Sequence, residues 1–128
     1  MGLGVIDRAD VPFKTTIHLQ DVGGPSAGLM FALAIVDRLT PGELTAGATV
    51  AGTGEIDVKG NVSPIGGIPF KMVAAREAGA STFLVPADNC AEAKAKAPDG
   101  LRLIKVDTLA TAVRALEDEH AGKPVPSC

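Results

Sequence analysis

From Ser81 to Glu119 the chain alternates two kinds of segment, and this alternation restricts its fold more than any other feature. Ser81 to Val85 and Leu103 to Val106 are short and apolar, as buried strands are. Asp88 to Ala97 and Thr108 to Glu119 read as helices, the first with Asp88 as its N-cap and the second amphipathic. Strand–helix–strand–helix order predicts an α/β domain with a partly parallel sheet. Upstream, Thr15 to Leu19 and Ala46 to Gly54 read as strands. Ala27 to Leu39 reads as a helix stopped by Thr40-Pro41-Gly42, and Pro69 to Ala78 as a helix capped by Gly79. The first of these helices has no charge until Asp37, which predicts burial nearly all round. Glu55 to Val62, around Lys59-Gly60-Asn61, reads as a hairpin whose antiparallel pairing makes the fold as a whole mixed.

A chain of 128 residues fits one domain, here residues 1–120 with a Pro-containing tail over 121–128. The four Phe, with no Trp or Tyr, leave an aliphatic core and no platform for stacking bases. The net charge of −3 argues further against a nucleic-acid face. The longest apolar run, Leu29 to Val36, is far short of the ~20 residues of a membrane span. Met1 to Asp10 shows no leader pattern and reads as the interior of a longer chain. Cys90 and Cys128 lack metal-ligand spacing, and His18 and His120 lie far apart, so no metal is expected. The two cysteines are either free thiols or one disulfide, and the segment Gly122 to Cys128 is long enough to reach back, on the order of 20 Å extended.

Ser26 is the most informative residue. It sits where the loop Gln20-Asp21-Val22-Gly23-Gly24-Pro25 meets an apolar helix. Amides at a helix start lack intrahelical partners and carry partial positive charge, which suits an oxyanion beside a nucleophile. The same position also suits a serine that merely caps a helix. Gly24-Pro25-Ser26-Ala27-Gly28 fits the G-x-S-x-G nucleophile elbow as well, for which His120 is the sole downstream histidine. His120, in a hydrophilic stretch, and His18, on a strand, have bland readings as surface and strand residues. A lysine serves as base instead if it is kept neutral. Lys71 stands out: it follows Gly66-Gly67-Ile68-Pro69-Phe70 and precedes Met72-Val73-Ala74-Ala75, at a helix start. Its bland alternative is a first-turn surface lysine.

These residues carry a family resemblance. Gly24-Pro25-Ser26-Ala27-Gly28 before an apolar helix resembles the nucleophile segment of Lon-type serine proteases. Thr53-Gly54-Glu55-Ile56, Gly60-x-Val62, and Pro64-Ile65-Gly66-Gly67-Ile68 with Lys71 three residues on resemble that family's lysine segment. Pro86-Ala87-Asp88-Asn89 resembles the segment after it. The likeness covers roughly residues 15–115 and is far more specific than an isolated G-x-S-x-G. It implies a mixed-sheet Lon proteolytic fold and a serine endopeptidase needing no cofactor. By the same resemblance Ser26 is the nucleophile, Lys71 the base and Thr53 a supporting hydrogen-bonding residue. Gly24, Pro25, Ala27, Gly66 and Gly67 would form the oxyanion and substrate loops. The finer wording resembles bacterial Lon-like proteases that carry a PDZ domain in place of an ATPase. That subgroup implies a membrane-anchored parent chain outside the cytoplasm, and the family at large implies a polypeptide substrate and a homo-oligomeric ring such as a hexamer. Gly23 departs from the acidic residue often found three before the serine in ATP-dependent Lon. Two rival readings remain: a Ser–His hydrolase using His120, and an inactive interaction domain of the same fold.

Overall fold

The structure is a computed structural model that describes residues 16–17, 25–39 and 49–128. The loop over residues 20–24, the expected stop at Thr40-Pro41-Gly42, and His18 lie outside the described residues.

Four strands form a wholly parallel sheet: β1 (Thr16–Ile17), β2 (Thr49–Gly52), β5 (Thr82–Pro86) and β6 (Arg102–Val106), in the order β1-β2-β5-β6. Two further strands, β3 (Glu55–Ile56) and β4 (Val62–Ser63), pair antiparallel as a separate ribbon. The expected α/β domain with mixed pairing is therefore what the described residues show, parallel in the main sheet and antiparallel in the hairpin, which does not extend that sheet. It hangs instead on isolated main-chain bonds, the Val62 amide donating to Asp107 O (2.9 Å) and the Leu109 amide to Gly60 O (2.8 Å).

The helices are α1 (Gly28–Leu39), α2 (Ile68–Glu77), α3 (Cys90–Lys96) and α4 (Leu109–His120). Strand side chains alternate between the two faces of a sheet, and here each face has its own core. Val50, Leu84, Ile104 and Val106 pack with Leu29, Met30 and Leu33 of α1 and Ala112, Ala115 and Leu116 of α4. Ala51, Phe83 and Val85 pack with Ile68, Met72 and Ala75 of α2 and Ala93 of α3. The result is a three-layer arrangement with helices on both faces, as a parallel sheet requires.

The helix boundaries follow local chemistry. Gly79, at φ +95°, ends α2: its amide bonds to Arg76 O and that of Ala80 to Ala75 O, satisfying two terminal carbonyls. Thr108 caps α4 reciprocally with Thr111. Two expectations need correction. The Asp88 side chain does not cap the next helix; a short 3-10 turn, Ala87–Asn89, intervenes and α3 begins at Cys90. Nor is α1 buried all round, since Ile35 is 45% and Leu39 79% exposed. Ile35 and Leu39 stand one turn apart on the side away from the core, whereas Leu29, Met30, Leu33 and Asp37 on the other side are buried.

The tail is built into the domain. Its Lys123 amide donates to Asp118 O (2.8 Å), and Pro126 O accepts from the Lys105 amide (3.1 Å) on the free edge of β6. Val125 packs on the α1–α4 core, and Cys128 forms a disulfide with Cys90 across a Cα separation of 5.1 Å. Of the two states open to these cysteines, the structure holds the bonded one. Among the described residues no helix is long and apolar enough to cross a membrane.

Candidate active site at the carboxyl end of β2

Ser26 lies in a 3-10 turn, Pro25–Ala27, that runs directly into α1. Proline at its start fixes φ without losing an amide that a helix start would use. Ser26 is half-buried and Ala27 buried. The turn is tied by its main chain to the residues that follow β2. Ser26 O accepts from the Gly54 amide (2.9 Å) and from Thr53 Oγ1 (3.3 Å), and the Leu29 amide returns a bond to Gly54 O (3.0 Å).

This brace requires close backbone approach. A Cβ on Gly28 would lie 2.9 Å from Ile56 Cγ2, and one on Gly52 would lie 2.8 Å from Leu84 Cβ and 3.0 Å from Leu84 O. Only glycine fits at these two places. The Leu29 amide, being committed to Gly54 O, is also removed from the set of helix-start donors open to an anion.

Thr53 is 1% exposed. Its hydroxyl donates to the carbonyl of Ser26, so the hydrogen bond expected of it goes to the serine turn. Lys71 sits in the first turn of α2, half-buried, with its amide bonded to Gly67 O (3.1 Å). Ile68 and Met72, flanking it on the helix, are fully buried against Ala51 of β2 and Phe83 of β5. The element carrying Lys71 and the turn carrying Ser26 thus both meet β2 or the residues just after it. Gly66 is exposed, and Gly67 adopts φ +76°, a left-handed conformation that begins α2 without a side-chain cap. Pro25 and Ala27 belong to the serine turn; Gly24 lies outside the described residues.

His120 belongs to the other end of the sheet. Its neighbour Glu119 accepts from Thr82 Oγ1 (3.2 Å) and from Arg102 (3.1 Å), at the amino ends of β5 and β6. Thr82 pairs with Val50, three residues before Thr53, so about 10 Å of strand separates that end from the Ser26 brace. Among the described residues no group of three His, Cys, Asp or Glu side chains could hold a metal.

One residue of the site escaped the sequence reading. Asn89, 7% exposed, bonds both ways with the main chain of Ile65, just before Gly66-Gly67. Its signal was present in Pro86-Ala87-Asp88-Asn89, but an asparagine at a helix start reads first as a local cap.

The fold and site together define a three-layer α/β domain with its candidate serine at the carboxyl edge of a parallel sheet. The chain belongs to the family described as Lon protease (S16) C-terminal proteolytic domain, whose model matches residues 14–117. It is 34% identical over 131 residues to a Lon protease of Heliobacterium modesticaldum, covering 97% of this chain and 15% of that protein. It is 39% identical over 114 residues to the Lon protease of Campylobacter concisus, covering 81% of this chain and 14% of the relative. The match to the Lon protease of Rickettsia conorii is 34% over 102 residues, or 80% and 13%. The chain therefore spans about one seventh of the length of these relatives.

Proposed function

We propose that the chain is a serine endopeptidase domain acting on polypeptides through a Ser26–Lys71 dyad. The observation that carries this reading is the brace at Ser26: a serine at a helix start, held by its own carbonyl to the end of a central strand, within a span matched as a Lon proteolytic domain. Neutral Lys71 takes the Ser26 proton as Oγ attacks the peptide carbonyl carbon. Main-chain amides around Ser26, other than that of Leu29, receive the oxyanion. The C–N bond then breaks, and Lys71 delivers its proton to the leaving amine. A water, deprotonated by the Lys71 amine, attacks the acyl ester, and Lys71 returns that proton to Ser26 Oγ as the ester C–O bond breaks.

The test is hydrolysis of an unfolded protein substrate together with labelling by a fluorophosphonate. Ser26→Ala and Lys71→Met should each reduce turnover by at least about 10³-fold while remaining folded. His120→Ala should leave it unchanged. An active Lys71→Met, or an inactive but folded His120→Ala, overturns the dyad.

The subgroup is part of the same proposal. The wording Gly-Gly-Pro-Ser-Ala-Gly-Leu-Met-Phe and Ala-Gly-Thr-Gly-Glu-Ile supports a PDZ-associated, ATP-independent enzyme whose parent chain is membrane-anchored and works as a ring. The Cys90–Cys128 disulfide supports placement outside the reducing cytoplasm. Turnover unaffected by ATP and magnesium, and sedimentation as a closed oligomer, are the expected results.

A further inference from the structure

We propose that Asn89 is a positioning residue for Lys71, acting through the Ile65–Gly67 loop. This rests on the dyad reading. The Asn89 carboxamide copies one rung of a β-ladder: the Ile65 amide donates to Oδ1 (2.9 Å), and Nδ2 donates to Ile65 O (2.9 Å). Both bonds reach back 24 residues. Asn89 stands at the N-cap position of α3, yet its side chain makes no cap bond there. The usual local use of such a residue is given up for this distant one, and its amide is buried at 7% exposure.

The loop it holds is open at its tip. Nothing lies within 4 Å of where a Cβ on Gly66 would be, and Gly67 adopts φ +76°. Two successive glycines carry the largest backbone entropy of any pair. The loop is fixed at one side by Ile68, fully buried in the core, and at the other by Ile65, whose side chain packs on the same core and whose main chain is held by the Asn89 carboxamide. Gly67 in turn contacts the lysine from two directions. Its carbonyl accepts the Lys71 amide, and the site of its missing Cβ is 4.0 Å from Lys71 Cε, so the lysine stem lies along this glycine. Loss of the carboxamide clamp leaves the Ile65 main chain without these two bonds and shifts Gly67, and with it the amine. A displacement near 1 Å at a reacting group costs about 10²-fold in rate.

The experiment compares Asn89→Ala, Asn89→Asp and Lys71→Met in the intact protein. Asn89→Asp keeps the size and the bond from the Ile65 amide but sets a carboxylate oxygen against Ile65 O. At a temperature where unfolding scans show both Asn89 variants folded, kcat should fall about 10- to 100-fold with KM within about twofold. The fluorophosphonate labelling rate should fall in parallel, and the pH–rate profile of each should shift from that of the parent. A purely structural Asn89 predicts folded variants with parental kcat and an unmoved profile, and that result overturns the proposal. If Lys71→Met is inactive while the Asn89 variants are normal, only the role of Asn89 fails. If Lys71→Met is active, the dyad fails and this proposal with it.

Discussion

Reduction of the Cys90–Cys128 bond offers the sharpest test of how the domain is held together. The bond joins residues 38 apart in sequence. In the chain-entropy treatment, a loop of that size removes about 13 cal/mol/K from the unfolded ensemble, or about 4 kcal/mol at 25 °C. The tail has other native contacts besides this bond, and they are expected to survive reduction. Val125 remains against the core, and Pro126 O and Asp118 O keep their amide partners at Lys105 and Lys123. The loss on reduction should therefore appear mainly in the unfolded state, with the native core intact. For a domain of this size, 4 kcal/mol corresponds to a fall in Tm of about 10–15 °C. The assay is thermal unfolding of the oxidised protein, the reduced protein and the Cys90→Ser/Cys128→Ser double variant, with far-ultraviolet circular dichroism before heating. Reduced and double-variant proteins should agree with each other and melt well below the oxidised form. A change under about 2 °C, or two titratable thiols in the oxidised native protein, would refute the reasoning.

Thr53→Val keeps the shape of the side chain and removes the hydroxyl bond to Ser26 O, which retains the Gly54 amide; stability should fall by about 1 kcal/mol, with a larger loss in the rate of Ser26 acylation. Gly52→Ala places a methyl 2.8 Å from Leu84 Cβ and 3.0 Å from Met30 Sδ, inside a strand that has no freedom to retreat; denaturant unfolding should show a loss of about 1–3 kcal/mol or more. Asp57 at the hairpin tip accepts from the amide and side chain of Asn61 and from the Lys59 amide, which holds its carboxyl below the ordinary aspartate range. Because the folded form is the stronger acid, its contribution is present above about pH 4 and fades as pH falls through the lowered value. The stability difference between the parent and Asp57→Asn should close over that range in pH-dependent unfolding.

The layers of the fold were legible because strand and helix periods differ, and the run from Ser81 to Glu119 shows both cleanly. α1 is less buried than its lack of charge implies, because a charge-free helix states its preference and not how many of its sides the core covers; Ile35 and Leu39 lie on the uncovered side. The capping role assigned to Asp88 failed for a related reason. Local rules rank the uses a residue has near itself, and Asn89 beside it serves a loop 24 residues away. Likewise Ser26 and Thr53 could be picked out singly by motif. That the hydroxyl of one holds the carbonyl of the other, across 27 residues, is a property of the assembled sheet edge.

The crowded glycines around the serine turn bear on how sequence variation in such domains is read. A side chain on Gly28 would strike Ile56, one on Gly52 would strike Leu84, and one on Gly54 would sit 2.8 Å from Val62 Cγ1. In a saturation library selected for activity, these three positions should come out as intolerant as Ser26, although none supplies a reacting atom. Selecting the same library for folded protein alone would separate the two groups: the glycines would stay fixed, and Ser26, held by its main chain, would be free to vary.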